Sequence, residues 1–146
     1  MEQDGHPTGG RWSYDEDNRK KIPKGLVLPN EPVSVESLYI TEAKLYVEQY
    51  FGSNPGSVER FFYPITHSDA KEWLQFFLKH KLAEFGPYED AVTTEQNFLF
   101  HSILSPLINN GLLCPAYVIE ETLTFAKTST VPLSSLEGFI RQIIGW

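Results

Sequence analysis

Apolar residues recur every three or four positions in several stretches of the chain, which is the spacing of amphipathic helices. In the first stretch, Thr41 is a predicted N-cap and Gly52 a predicted stop. In the second, Ser68 is the predicted cap, and Gly86 with Pro87 is expected to end the helix. The predicted apolar faces of these two helices are Ala43, Tyr46, Val47, Tyr50 and Phe51, and Ala70, Trp73, Leu74, Phe77 and Leu78.

Two further helices are predicted in the last third of the chain. Pro115 suits the first position of one helix, and Ser134 with Glu137 has the spacing of a capping box for the other. No run alternates apolar and polar residues as a half-buried strand would, so the predicted class is all-α. The expected buried residues are Val118, Ile119, Thr122, Leu123 and Ala126, then Leu136, Phe139, Ile140, Ile143 and Ile144.

Residues 1–32 lack this periodicity and are interrupted repeatedly by Gly and Pro, which is typical of an extended connector. Residues 88–111 are weakly periodic and are predicted to form short helical turns joined by loops. The connector carries a basic cluster, which is more typical of a solvated loop face than of a phosphate site. That cluster consists of Arg19, Lys20, Lys21 and Lys24.

Composition narrows the possible functions. The net charge of −7 disfavours nucleic-acid binding by this chain alone. Aromatic residues make up 14% of the chain, which favours an aromatic core over a ring-shaped ligand. The single cysteine, Cys114, fits a reducing, cytoplasmic compartment, and no apolar run approaches membrane-spanning length. Cys114 has no basic neighbour in sequence and is expected to be structural or incidental rather than reactive.

The usual catalytic motifs are missing from the sequence. The four histidines are scattered, without metal-ligand spacing, and no phosphate-binding glycine motif or nucleophile elbow occurs. The segment Phe100–Pro106 differs, because Ser102 and Ser105 enclose an apolar pair just before a proline. Such a turn can hold a phosphate with hydroxyl and backbone N–H groups, or it can be an ordinary helix cap. These residues alone leave both interpretations open.

Several motifs, in register over nearly the whole chain, resemble the deoxyribodipyrimidine photolyase-related proteins, the iron-sulfur branch of the photolyases and cryptochromes. The first is GGRWSYDEDNRK at Gly9–Lys20, and FGPYEDA follows at Phe85–Ala91. LFHSILSP at Leu99–Pro106 precedes GLL at Gly111–Leu113, and EGFIRQIIGW occupies Glu137–Trp146.

The resemblance implies a domain organisation. In this family an antenna domain precedes a connector and an all-helical domain that folds around FAD. Residues 1–32 would then be connector, and 33–146 the first part of the FAD-binding domain, so the chain is expected to be an internal fragment. The remainder of the photolyase chain would be its partner, and the cysteines that hold the family's [4Fe-4S] cluster are expected to lie outside this sequence.

The resemblance also implies a binding site. Tyr88 would contact the FAD phosphate region. His101 and Ile103 stand where many relatives have Thr and Arg, so backbone contacts are expected there. Arg141 and Trp146 are weaker candidates for contact with flavin or DNA. The predicted cofactor-binding residues are Tyr88, His101, Ser102, Ile103, Leu104, Ser105, Phe139 and Gln142; no residue of the chain is predicted to be catalytic or to bind a metal.

The implied activity of the parent protein is light-driven repair of damaged DNA. Excited reduced FAD would donate an electron to a pyrimidine dimer or (6-4) photoproduct flipped out of the duplex. Two alternatives remain. In the first, the parent is a cryptochrome-like light sensor that does no repair. In the second, the chain is a helical module without a ligand; exposed apolar surface on the last helix would favour this second alternative.

Overall fold

Six α-helices make up most of the regular structure among the described residues. The computed structural model describes residues 4–30 and 36–145, and in that part of the chain it contains no β-strand, which confirms the all-α prediction. Two short 3₁₀ turns, Thr8–Gly10 and Asp15–Asn18, precede the helices. The helices are α1 (Leu38–Phe51), α2 (His67–His80), α3 (Leu82–Tyr88), α4 (Ser105–Asn109), α5 (Pro115–Thr128) and α6 (Leu133–Ile144).

The main core lies between α2, α3, α5 and α6, and aromatic rings form its centre. Phe77 of α2 lies 4.7 Å from Phe139 of α6 and 5.9 Å, edge to face, from Phe85 of α3, measured between ring centroids. Burying one such side chain stabilises the fold by about 1.5–3 kcal/mol. Part of the aromatic content therefore serves the core, whereas the rings of Tyr39, Tyr46 and Tyr50 on α1 are exposed. Around the core rings pack Ala70, Leu74, Leu78, Leu82, Leu104, Leu107, Leu113 and Val118.

α1 begins earlier than predicted. Ser37, not Thr41, is the N-cap: its hydroxyl accepts a hydrogen bond from the Ile40 backbone N–H at 3.2 Å. Thr41 lies inside the helix, and its own hydroxyl donates to the Ser37 carbonyl at 3.1 Å. The predicted stop is confirmed, since α1 ends just before Gly52. Ile40 is the one buried residue of α1, so the predicted apolar face is mostly exposed in the described chain.

The second predicted helix is two helices. Thr66 rather than Ser68 caps α2, because its side chain accepts from the Asp69 N–H at 3.1 Å. The chain breaks at Lys81, and α3 then runs through Gly86 and Pro87, which were expected to stop it. A proline inside a helix removes one backbone donor, and here a serine of another helix supplies the missing bond.

That serine is Ser135 of α6. Its hydroxyl accepts from the Gly86 N–H at 3.0 Å and donates to the Ala83 carbonyl at 2.9 Å. Gly86 has no side chain, which allows this approach: a Cβ there would lie 2.7 Å from the Ser135 nitrogen. α3 and α6 consequently form the closest helix pair of the core.

α5 starts at Pro115 as predicted, but α6 departs from prediction. α6 begins at Leu133 after Pro132, so Ser134 and Glu137 lie within it and form no capping box. Its buried residues are Ser135, Gly138 and Phe139, whereas Ile144 is 67% exposed. Of the predicted face only Phe139 is buried, because α6 presents small residues to α3. Leu136, Ile140 and Ile143 are half-buried.

The connector docks on this helix pair. Asn18 is 1% exposed, and its amide donates to the Ser134 carbonyl at 3.3 Å. The Lys20 N–H donates to the Pro87 carbonyl at 3.0 Å. The connector is thus packed on the helix pair around Asn18, while most of its other described residues are exposed. The domain boundary at residue 32 stays a prediction. None of the described helices is long and apolar enough to cross a bilayer.

Candidate functional site

A cleft of about 670 Å³ opens between the segment that precedes α4, the end of α3 and one side of α6. Phe85, Glu89 and Asp90 line it from α3 and the residues that follow, and Ile108 and Asn109 line it from α4. Most predicted cofactor-binding residues meet here although they come from two distant parts of the sequence. Those that line the cleft are His101, Ser102, Ile103, Leu104, Ser105, Phe139 and Gln142.

Two predicted residues, Tyr88 and Arg141, do not line the cleft. Tyr88 is 8% exposed and packs on Phe100, with ring centroids 5.4 Å apart, in a small cluster of its own. Arg141 points toward the connector, where its guanidinium donates to the Ser13 hydroxyl at 3.1 Å and pairs with Glu137. Trp146 lies outside the described residues.

The segment before α4 has an unusual backbone conformation. Ile103 has a φ of +56°, in the left-handed region, and Leu104 follows with φ −88° and ψ −15°. A left-handed conformation in a β-branched residue costs about 1–3 kcal/mol and persists only where surrounding contacts enforce it. A pair of residues of opposite hand turns successive backbone N–H groups toward one side, which forms a concave anion site called a nest.

The donors of this nest are available. The N–H groups of Ile103, Leu104 and Ser105 find no backbone acceptor among residues 4–30 and 36–145. Ser102 and Ser105 both line the cleft and add hydroxyl groups at either end of the nest. These N–H groups can therefore donate to an acceptor that enters the cleft.

Contacts on both sides fix the segment 100–104. Phe100 and Leu104 are 4% and 1% exposed and anchor its two ends in the two apolar clusters. The His101 Nε2 lies 2.8 Å from the Glu89 carbonyl oxygen, which can only accept, so this nitrogen carries the proton. The Trp73 Nε1 donates to the Ser102 carbonyl at 2.9 Å. These contacts hold the segment in place at several points along its length.

The charged groups of the cleft are acidic. Burial raises the pKa of the Glu89 carboxyl; the neighbouring carboxylates of Asp90 and Asp15 raise it further, while Arg141 and Arg19 oppose them. The buried Oε2 of Glu89 has no hydrogen-bond partner among the described residues. No Lys or Arg lines this cleft, so an anion here would be held by backbone dipoles and hydroxyls.

The floor of the cleft is apolar. Phe139 contributes a ring that is 1% exposed, and Ile143 lies one helical turn further along α6. Leu104 and Ile108 complete this surface. A row of polar donors beside an apolar floor is the arrangement that a ligand with both anionic groups and flat rings would need.

Sequence reasoning missed three features around the site. Trp73 was predicted to be on the core face of a helix, because its hydrogen bond to Ser102 cannot be inferred from the spacing of apolar residues. Glu89 had no predicted role, because the burial of a single carboxylate cannot be inferred from that spacing either. The third feature is an open cavity of about 850 Å³ between the connector and Asp90, Ala91, Val92, Thr93 and Glu95. The basic cluster borders this cavity, and its four side chains are exposed, as expected of a solvated loop face.

Comparisons with known proteins show what this helical chain is similar to. Residues 1–63 match the family described as deoxyribodipyrimidine photo-lyase-related protein. The chain is related to that family, which confirms the resemblance of its motifs.

Two relatives illustrate this relationship. A (6-4) photolyase of Agrobacterium fabrum is 38% identical over 140 residues, which is 96% of this chain and 28% of the relative. An uncharacterised protein of Acanthamoeba polyphaga mimivirus is 41% identical over 58 residues, 39% of this chain and 45% of that protein. The chain thus spans less than a third of the photolyase that it matches.

Proposed function

We propose that this chain supplies the phosphate-holding part of the FAD site of a photolyase-like flavoprotein. The observation that carries the proposal is the nest at Ile103–Ser105: its N–H groups find no backbone acceptor in the described chain, and its residues line a cleft. The nest lies within the motif that resembles the family's phosphate-binding turn. An anion held by fixed dipoles needs no positive chain, which is consistent with the net charge of −7.

The residues divide by role. The N–H groups of Ile103–Ser105, with the Ser102 and Ser105 hydroxyls, would hold the pyrophosphate of FAD. Phe139 would support a ring, and the exposed Gln142 would offer its amide at the mouth. FAD, when bound, supplies light-driven electron transfer. Contacts of Tyr88, Arg141 and Trp146 with flavin or DNA stay predictions, and Tyr88 and Arg141 would need to turn toward the cleft to make them.

For the full-length parent we propose light-driven repair of pyrimidine dimers or (6-4) photoproducts, with damaged DNA as the partner. The support is the likeness to a protein named (6-4) photolyase, of which this chain spans 28%. Illumination of the full-length protein with lesion-containing oligonucleotides tests this proposal. Loss of the lesions would support repair; a light-dependent flavin response with intact lesions would favour the cryptochrome-like sensor instead.

The cofactor proposal is testable on the 146-residue chain itself. Because the cleft is open and borders few charged donors, we expect weak binding of FAD that does not survive desalting. Titration with FAD, ADP and riboflavin, followed by the amide resonances of residues 103–105, separates the phosphate contribution from the ring contribution. FAD and ADP should shift these resonances, whereas riboflavin, which lacks phosphate, should leave them nearly unchanged.

Substitutions sharpen this test. Removal of one hydroxyl that donates to a charged phosphate oxygen should cost about 1.5–3 kcal/mol, or roughly ten- to a hundredfold in ADP affinity. Ser102→Ala and Ser105→Ala are therefore expected to weaken ADP binding. Ser53→Ala, in an exposed turn away from the cleft lining, is the matched control. Equal responses of the amides of residues 103–105 to riboflavin and ADP would contradict the proposal.

A further inference from the structure

We propose that Trp73 is a positioning residue: its indole N–H sets the orientation of the Ser102–Ile103 peptide and so preforms the anion nest from outside the cleft. Trp73 itself does not line the cleft. The inference deepens the proposed function and rests on it for the identity of the ligand. The claim about the peptide's orientation can be tested without any ligand.

The geometry begins with a single hydrogen bond. The Trp73 Nε1 donates to the Ser102 carbonyl oxygen at 2.9 Å, across 29 positions of sequence. In a trans peptide the carbonyl and the N–H that follows point in opposite directions. A Ser102 carbonyl directed at Trp73 therefore directs the Ile103 N–H away from Trp73. That N–H is the first donor of the nest.

The backbone strain shows why such a contact is needed. Ile103 holds a φ of +56°, which a β-branched residue avoids when it is free to choose. Rotation of the Ser102–Ile103 peptide would relieve the strain at Ile103. It would also turn the Ile103 N–H away from the other two N–H groups of the nest. Leu104 is buried and holds the C-terminal side of the turn, and Phe100 and His101 hold the chain before it. The Trp73 bond acts on the carbonyl of the Ser102–Ile103 peptide itself.

The indole itself is held rigidly. Phe62 stacks on it with an interplanar angle of 16° and a centroid distance of 6.2 Å, and Phe98 packs edge to face on Phe62 at 5.0 Å. Trp73 is half-buried on α2, whose neighbouring residues Leu74 and Phe77 are in the main core. Because the Trp73 side chain is anchored beside the core, its N–H can hold the Ser102 carbonyl in one orientation.

The test replaces the donor and keeps the ring. Trp73→Phe removes the N–H, and site-specific benzothienylalanine at position 73 removes it with almost no change of shape. Trp12→Phe is the matched control, because Trp12 is 74% exposed and outside the cleft. The first readout, without ligand, is the scalar coupling and hydrogen exchange of the Ile103 amide. The second is the affinity for ADP of the same proteins.

We expect both variants at position 73 to shift the Ile103 coupling away from its wild-type value and to weaken ADP binding by about fivefold to tenfold, as the loss of one ordinary hydrogen bond implies. The control should change neither. An Ile103 coupling that stays at the wild-type value in the benzothienylalanine protein would overturn the positioning role. If wild-type protein does not bind ADP while the coupling still depends on the indole N–H, the cofactor proposal fails and the positioning role stands.

Discussion

The Ser135 hydroxyl takes the place of the backbone donor that Pro87 lacks. In a regular helix the N–H of residue 87 would donate to the Ala83 carbonyl; here Ser135, from α6, donates to that carbonyl at 2.9 Å. The same hydroxyl accepts from Gly86 at 3.0 Å. A helix that should break at its proline is therefore completed by its neighbour, and this fixes how α3 and α6 meet beneath the cleft.

We predict that Ser135→Ala destabilises the protein by about 1–3 kcal/mol, because it leaves a buried carbonyl and a buried N–H without their partner. Urea unfolding measures the loss. Ser134→Ala is the matched control: Ser134 neighbours Ser135 but does not act as a side-chain N-cap of α6. If Ser134→Ala were the more costly change, the capping-box interpretation of the sequence would be correct after all.

Gly138→Ala should release the connector from α6. A Cβ at position 138 would lie 2.8 Å from the Asn18 amide nitrogen and 3.1 Å from the Glu89 Oε2. Asn18 is too enclosed to yield without moving the connector. We expect faster trypsin cleavage at the basic cluster of residues 19–24. In the Asn18→Ala background the same substitution should have little further effect, and an undiminished effect there would show that the clash is elsewhere.

Stability should depend on the charge of Glu89. Burial raises the pKa of this carboxyl above its ordinary value near 4.5, so the folded protein binds the proton more tightly than the unfolded chain. The ionised form therefore destabilises the fold above the raised pKa. This penalty disappears as the pH falls from there to below about 4.5.

Glu89→Gln should accordingly be more stable than wild type at pH 7 and equal to it at low pH. Unfolding in urea at a series of pH values provides the comparison. Glu84→Gln, at an exposed carboxyl of α3, is the matched control and should change the stability little. A Glu89→Gln protein that is less stable than wild type at pH 7 would mean that the carboxylate has a stabilising partner.

The nest predicts opposite outcomes for two substitutions at one position. Ile103→Gly permits a φ of +56° without strain and keeps every N–H, so ADP affinity should stay within about threefold of wild type. Ile103→Pro fixes φ near −65° and removes the first donor, so binding should be lost. Titration calorimetry distinguishes them. Comparable ADP affinities in the two proteins would show that this turn does not hold phosphate.

Much of the helical framework could be predicted from periodicity, but its ends and faces could not. Thr41 and Ser68 are good caps in isolation, yet Ser37 and Thr66 lie a few residues earlier in extended conformation and take that role. Local propensity cannot choose between hydroxyls that are close in sequence. The choice depends on where the preceding chain turns, which tertiary packing sets.

The face of α6 shows a second limit. Hydrophobicity selects Ile140 and Ile144, whereas the helix buries Ser135 and Gly138. Small residues allow two helix backbones to approach closely, and larger apolar residues do not. Whether a helix packs in this way depends on its partner helix, which here has Gly86 at the contact. For the cleft, the sequence motif identified the turn at residues 101–105, but the left-handed Ile103 and the Trp73 contact appear only in three dimensions.

α1 has one buried residue and a cluster of aromatic rings of its own, with Tyr46 and Tyr50 4.7 Å apart. A helix of 14 residues with so little tertiary support is near the length at which isolated helices are only marginal. It can open while the core stays intact. Three of the seven tyrosines, Tyr39, Tyr46 and Tyr50, belong to it, so tyrosine fluorescence and core-sensitive signals should melt at different temperatures, and a single two-state transition would not describe this protein.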